Sequence, residues 1–307
     1  MPGLFVFNKP PGPSSAAFLN SLKKHFGKEP IGHGGTLDPF AEGVLVVGVG
    51  RRYTRMLSAV LKEHDKEYRA VILLGADSDT YDKTGTITTR AISQWPGDAE
   101  IENAVTEIAQ RTTQVPPSYS AIKIEGVPAY IHARRGKDVK LKERPVKIHR
   151  TKVTSIKHRA DDMAIEIELG VSPGFYVRSF AHEVGDMLKT GAYLERLIRT
   201  KVGRFTLEEA LEYKDLDGVV ELYFRASGAV QDVGYRYFTL KNAQNWAITG
   251  FVRNISPSSV EVVGQAKTAV LERFLDVLEK GSESAQIANS FSYFRKAADT
   301  YQDFTAE

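Results

Sequence analysis

The chain has 307 residues, enough for one large domain or two ordinary ones with a sizeable core. Hydrophobic residues make up 42% and charged residues 26%, the balance of a soluble globular protein rather than of a disordered or membrane-spanning one. The formal net charge is only +3, and the absence of cysteine excludes disulfides, thiolate catalysis and cysteine-held zinc. With no basic-then-apolar leader at its start, the chain is expected to be cytoplasmic.

Residues 4–8 read as a short strand, ended by Lys9-Pro10-Pro11-Gly12-Pro13. Ser14 and Ser15 can cap a helix running to about Phe26, with Phe18, Leu19 and Leu22 on one face. Gly32-His33-Gly34-Gly35 supplies a freely turning loop, and residues 44–49 have the length and β-branching of a buried strand. Asp38 lies between them, held by Leu37 and Pro39, either as a turn former or as a positioned carboxylate. A helix is expected over 54–61 and a strand over 67–75. Residues 77–82 are acidic, but Tyr81 and Asp82 stand where a calcium loop needs a ligand and a glycine, so a turn is expected instead. Residues 101–111 have helical spacing, while Pro116 and Pro117 keep 114–121 out of a helix.

Charge is unevenly spread. Residues 122–159 carry twelve Lys or Arg against three acids, an excess of +9, whereas 220–307 carry nine against ten. The basic arm mixes Tyr130, His132, Arg134 and Arg135, and unstacked RNA bases need flat partners while phosphates need cations. Residues 163–171 alternate as a strand, 172–185 turn into a helix carrying Arg178, and 206–211 form a capping box for a short helix. From 221 onward the pattern is strand, helix, strand, strand, helix, strand, with strands over 251–255, 260–265 and 287–294 and helices over 235–248 and 269–279. That order is the split βαβ, ferredoxin-like arrangement. Two α/β (α+β) domains are expected, over 1–217 and 218–307.

The segment Asn8-Lys9-Pro10-Pro11-Gly12-Pro13-Ser14-Ser15, paired with His33-Gly34-Gly35-Thr36-Leu37-Asp38-Pro39, resembles the signature of the TruB family of tRNA pseudouridine synthases. Similarity continues in patches to about Leu211. The resemblance implies a mixed-sheet catalytic domain that isomerises uridine to pseudouridine in the T-loop of tRNA, at position 55. It places the family's nucleophile on Asp38 and gives His33 a part in displacing the target uridine from its stack. Lys66-Glu67-Tyr68-Arg69 resembles the motif whose tyrosine stacks on the base. Tyr176-Val177-Arg178-Ser179 resembles the motif whose arginine pairs with the nucleophile; Tyr176 then lies beside the base pocket and Leu197 lines it. Pro116-Pro117-Ser118-Tyr119-Ser120-Ala121 resembles a further family signature. By the same resemblance Lys9 is substrate-binding on a loop that supports the active site, and the arm with Arg134 and Arg135 closes over the T-loop. The partner implied is tRNA, with no cofactor or metal and a monomeric enzyme.

Residues 226–239, including Gln231-Asp232-Val233-Gly234-Tyr235-Arg236, resemble the acylphosphatase signature, and Gly250-Phe251-Val252-Arg253-Asn254 resembles its second motif. The resemblance implies that Arg236 clamps a phosphate-type anion in a cradle of backbone amides and that Asn254 orients the attacking water. Asp232 stands where that family has glycine. Its carboxylate opposes a phosphate, and a left-handed backbone suits it less well than glycine. Two other readings share these residues: an acyl-phosphate hydrolase whose first domain only binds RNA, and a non-catalytic tRNA chaperone. A chaperone would use the basic arm but have no need of Asp38 and Arg178 together.

Overall fold

The computed structural model describes residues 2–61, 64–137, 139–159 and 161–307; Asp138, counted among the acids of the basic arm, lies outside them. The chain opens with β1 (Gly3–Lys9), α1 (Ser15–Phe26), β2 (Ile31–Gly34), β3 (Glu42–Val49) and α2 (Arg51–Leu61). It continues through β4 (Lys66–Leu74), α3 (Asp98–Ala109), α4 (Ala129–Arg134), β5 (Ile148–His158), β6 (Met163–Val171), α5 (Val177–Met187) and β7 (Ala192–Val202). It ends with β8 (Val219–Ala229), α6 (Tyr235–Asn245), β9 (Thr249–Ser256), β10 (Ser259–Lys267), α7 (Thr268–Lys280), β11 (Gln286–Arg295) and β12 (Phe304–Ala306). Shorter strands and a 3-10 turn fill some of the connections. No helix among the described residues is long and apolar enough to cross a membrane.

Two compact units result: Met1–Pro39, Gly43–Lys62 and Arg204–Glu307 form the first, and Phe40–Glu42 with Glu63–Gly203 the second. In the second, β5, β6, β4 and β7 are antiparallel neighbours in that order. The alternation that predicts β6 also buries it, since Met163, Ile165, Ile167 and Leu169 are all removed from solvent. Helix α3 buries Ile101, Val105 and Ile108, and Glu100 accepts a hydrogen bond from the Gly97 amide at its start. Helix α5 approaches β7 so closely that a Cβ on Gly185 would stand 2.2 Å from the Ala192 amide nitrogen.

In the first unit the strand order is β3, β1, β11, β8, β10, β9, β12. Strands β8, β9, β10 and β11 with helices α6 and α7 make the expected βαββαβ module, ordered fourth, first, third, second and antiparallel throughout. The expected boundary at 217/218 lies inside this unit. Strand β11 runs parallel to β1 with Phe294 opposite Phe5, and the two rings stack at 4.6 Å. Phe5, Phe7, Phe18, Leu222, Phe224 and Phe274 consequently belong to one core.

Two local expectations fail, both because tertiary pairing overrides local propensity. The glycine-rich stretch at 32–35 is largely strand: β2 pairs with β3, with His33 opposite Val47. Residues 206–211 form no helix. The cap bond exists, from the Thr206 amide to Glu209, but the Leu211 amide donates to Val6 and its carbonyl accepts from Asn8, which pulls the chain out along β1.

Candidate active site

Asp38 is half-buried on the short loop between β2 and β3, and both of its neighbours are tied down. Gly35 takes a left-handed φ of 82°, which turns the chain out of β2 towards the loop. Leu37 is buried, and its amide and carbonyl both bond the hydroxyl of Ser15 in the first turn of α1. On the other side, the Pro39 carbonyl accepts from the Gly12 amide at 2.7 Å and from Lys9 Nζ at 3.4 Å. Lys9 is fully buried, and its ammonium also donates to the carbonyls of Pro10 and Pro13, each at 2.8 Å. A buried cation needs such partners, and here they are the prolines of the neighbouring loop. Lys9 thus clamps the loop from beneath. Ser14 is the helix cap, accepting from the Ala17 amide. The sequence also marks Ser15 as a cap, but the structure uses it to hold Leu37.

The second unit gathers a group of its own residues at the start of α5. Arg178 is nearly inaccessible; it donates to the carbonyls of Thr80 at 3.1 Å and Tyr119 at 2.9 Å. Its Nε lies 3.6 Å from the buried carboxylate of Asp82. Asp82 in turn accepts from the Thr80 hydroxyl and from the Thr84 amide and hydroxyl. The turn expected over 77–82 therefore encloses a buried partner of Arg178. Sequence reasoning missed this, although the alternation of Asp and Thr there was visible. Tyr176 is fixed by its backbone: its amide donates to Gln114, whose side-chain amide donates back to the Tyr176 carbonyl. The Ser179 hydroxyl bonds the Val115 carbonyl at 2.8 Å. With the bond from Arg178 to Tyr119, four side-chain-to-backbone links thus hold the proline-rich 114–121 segment on the first turn of α5.

Tyr68 on β4 and Leu197 on β7 are both buried; Tyr68 stands opposite the buried Arg199, and Leu197 opposite Ala70. His33 is half-buried on β2. Arg134 and Arg135 are exposed at the end of α4, and the Arg134 guanidinium lies 5.5 Å from the centre of the Tyr130 ring. Asp77, His182 and Asp186 approach one another within 4.8 Å. Arg90 supplies the positive charge that these carboxylates face, bonded to Asp77 and 3.6 Å from Asp186, while Tyr81 stacks on His182.

In the βαββαβ module, Arg236 sits in the first turn of α6 and donates to the Glu307 backbone oxygen at 2.7 Å. Asn254 is exposed on β9, against which α6 packs. Gly234 and Asp232 in the preceding loop both have positive φ, 74° and 56°. The strain anticipated for Asp232 is therefore present. Tyr235 anchors the same helix, its hydroxyl bonded to the Leu278 carbonyl, and burial raises its pKa well above the ordinary phenol value.

Residues 23–177 match the family model "TruB family pseudouridylate synthase (N terminal domain)", and residues 222–306 match that of acylphosphatase. A tRNA pseudouridine synthase B of Chlamydia pneumoniae is 38% identical over 70% of this chain and 88% of its own length. The protein of the same name from Mycobacterium bovis is 37% identical over 70% of this chain and 72% of its own. Among solved structures, a chain of a Cbf5-Nop10-Gar1 complex aligns with a TM-score of 0.52 at 29% identity, over 70% of this chain and about half (53%) of that one.

Proposed function

The chain belongs to the TruB family of pseudouridylate synthases, and from that premise we propose that it converts a uridine in the T-loop of tRNA, at position 55, to pseudouridine. Asp38 is the nucleophile; the glycosidic bond breaks, and the uracil turns and rejoins the sugar through carbon. Arg178 serves as the fixed cation for that carboxylate, because a guanidinium stays charged in a buried place. Tyr68 stacks on the base, Tyr176 and Leu197 bound its pocket, and His33 helps take the uridine out of its stack. Arg134 and Arg135 bind the RNA backbone. Lys9 contributes from below, by holding the loop, rather than by touching RNA. The observation that best supports this reading is the restraint on Asp38, whose loop is bonded on both flanks while the carboxylate's residue stays partly accessible. A catalytic group must be held near its working geometry, and such restraint is how a loop achieves it. Incubating a tRNA transcript with the purified chain and mapping pseudouridine tests the reading. Asp38→Asn should abolish product while leaving tRNA affinity within a few-fold.

The domains are read as 1–217 for the synthase and 218–307 for the acylphosphatase-like module. The module keeps Arg236 and Asn254, which supports a second, hydrolytic activity towards acyl phosphates. The carboxylate of Asp232 in its loop argues that such activity is weak.

A further inference from the structure

The βαββαβ module covers one face of its sheet with α6 and α7, and the other face carries an ordered grid of rings and cations. Registration across the strands makes one row of Phe291, Arg225, Glu261 and Arg253. The next row is Tyr293, Tyr223, Val263 and Phe251, of which the first three are buried, so the accessible part of this face is the first row with Arg204 beside it. Leu222, Phe224 and Ala226 alternate with these on β8 and enter the core, so Tyr223 and Arg225 share the face away from the helices. Arg204, arriving from the preceding segment, lies over three of the rings: 4.7 Å from the centre of Tyr223, 5.1 Å from Phe291 and 5.3 Å from Tyr293.

Charge on this face is unbalanced. Arg295 is neutralised by Glu221 and Glu209, and Arg253 by Glu261. Arg204 and Arg225 are exposed, and among the described residues neither has an acidic partner. Two exposed guanidinium groups thus flank the half-buried Phe291, Arg204 over its ring and Arg225 as its cross-strand neighbour. Four-stranded sheets of this topology that bind RNA do so with aromatic residues on the open face, flanked by cations for the phosphates.

We propose that this sheet face is a second RNA-binding surface, on which Arg204 and Arg225 contact phosphates of the tRNA and Phe291 offers a flat contact for an unpaired base or ribose. The occupant is the polyanionic substrate itself, chosen by charge complementarity, and the proposal rests on the tRNA reading above. It gives the acylphosphatase-like module a binding role that is independent of hydrolysis. The test uses the full chain and a tRNA transcript. The slope of log affinity against log salt is measured for wild type, Arg225→Gln, and Arg204→Gln with Arg225→Gln. Each lost phosphate contact should lower the slope by roughly 0.7–0.9, so the double variant should lose roughly 1.4–1.8. Arg273→Gln, an equal loss of charge on α7 at the helical side, should leave the slope unchanged. Arg225 is exposed, so the single variant keeps the test meaningful if the double variant is unstable. An unchanged slope in both variants, or an equal drop with Arg273→Gln, overturns the proposal. Pseudouridine mapping with the wild-type chain keeps the two readings apart. Product with an unchanged slope defeats only the surface, whereas no product with a reduced slope defeats only the synthase reading.

Discussion

The hydroxyl of Ser15 accepts from the amide of Leu37 and donates to the carbonyl of the same residue, each at 2.9 Å. One small side chain thereby satisfies two buried backbone groups immediately before Asp38 and fixes the loop to the first turn of α1. Ser15→Ala leaves both groups unpaired, at a cost of about 1–3 kcal/mol. If that cost falls on the loop, kcat for pseudouridine formation should drop about ten-fold, the equivalent of about 1.4 kcal/mol. Affinity for tRNA should stay within about two-fold, because no RNA-contacting group is removed. Single-turnover kinetics alongside equilibrium binding separates the two quantities; an unaltered kcat would remove Ser15 from the account.

The pair Arg178–Asp82 carries a different kind of prediction. Both side chains are about 95% buried, so removing one charge takes a buried ionic partner from the other. Asp82→Ala should destabilise the chain by about 3 kcal/mol, the lower end for a broken buried pair, because the Thr80 and Tyr119 carbonyls still hold the guanidinium. Asp82→Asn, which keeps an acceptor for Thr80 and Thr84, should cost less. Urea unfolding of the two variants gives the ranking, and equal losses would mean that the acceptor kept for Thr80 and Thr84 contributes nothing once the charge is gone.

Phe294 stacks on Phe5 across the parallel pairing of β11 and β1. Phe294→Ala should cost about 3–5 kcal/mol, and the double variant with Phe5→Ala less than the sum, since the rings share one contact. A chain ending at residue 217 loses β11 and exposes the edge of β1 with its apolar face. It should aggregate or unfold cooperatively at a lower temperature than the full chain. Light scattering with thermal melts of the truncated chain decides this; a stable monomer would show that β1, still paired with β3, does not need β11.

For the anion loop, Asp232→Gly removes a negative charge and a side chain from a position at φ 56°. Acyl-phosphate hydrolysis by the full chain should be weak and should rise with Asp232→Gly, and Arg236→Ala in that background should abolish the gain. The substitution should also stabilise slightly, by relief of left-handed backbone in a non-glycine residue. Efficient hydrolysis by the natural chain would contradict the role assigned to Asp232.

Most secondary elements were legible because their signals are local. Alternation over 163–171, the helical spacing over 101–111 and the prolines after Gln114 each act within a few residues. The paired motifs also placed Asp38, Tyr68 and Arg178 on definite elements, and the βαββαβ order of the last ninety residues needed only periodicity and turn residues. What the sequence could not show was the set of partners. Ser15 serves Leu37 twenty-two positions away, Asp82 serves Arg178 ninety-six positions away, and Lys9 spends its charge on proline carbonyls. A hydroxyl, a carboxylate or an ammonium reads the same in sequence whether it faces water or a buried group. Only the tertiary structure decides, because the cost of an unpaired polar group appears only once burial is set. The helix expected at 206–211 was lost in the same way, to hydrogen bonds with β1, and the pairing of Phe294 with Phe5 drew β11 into the unit that carries the Asp38 loop.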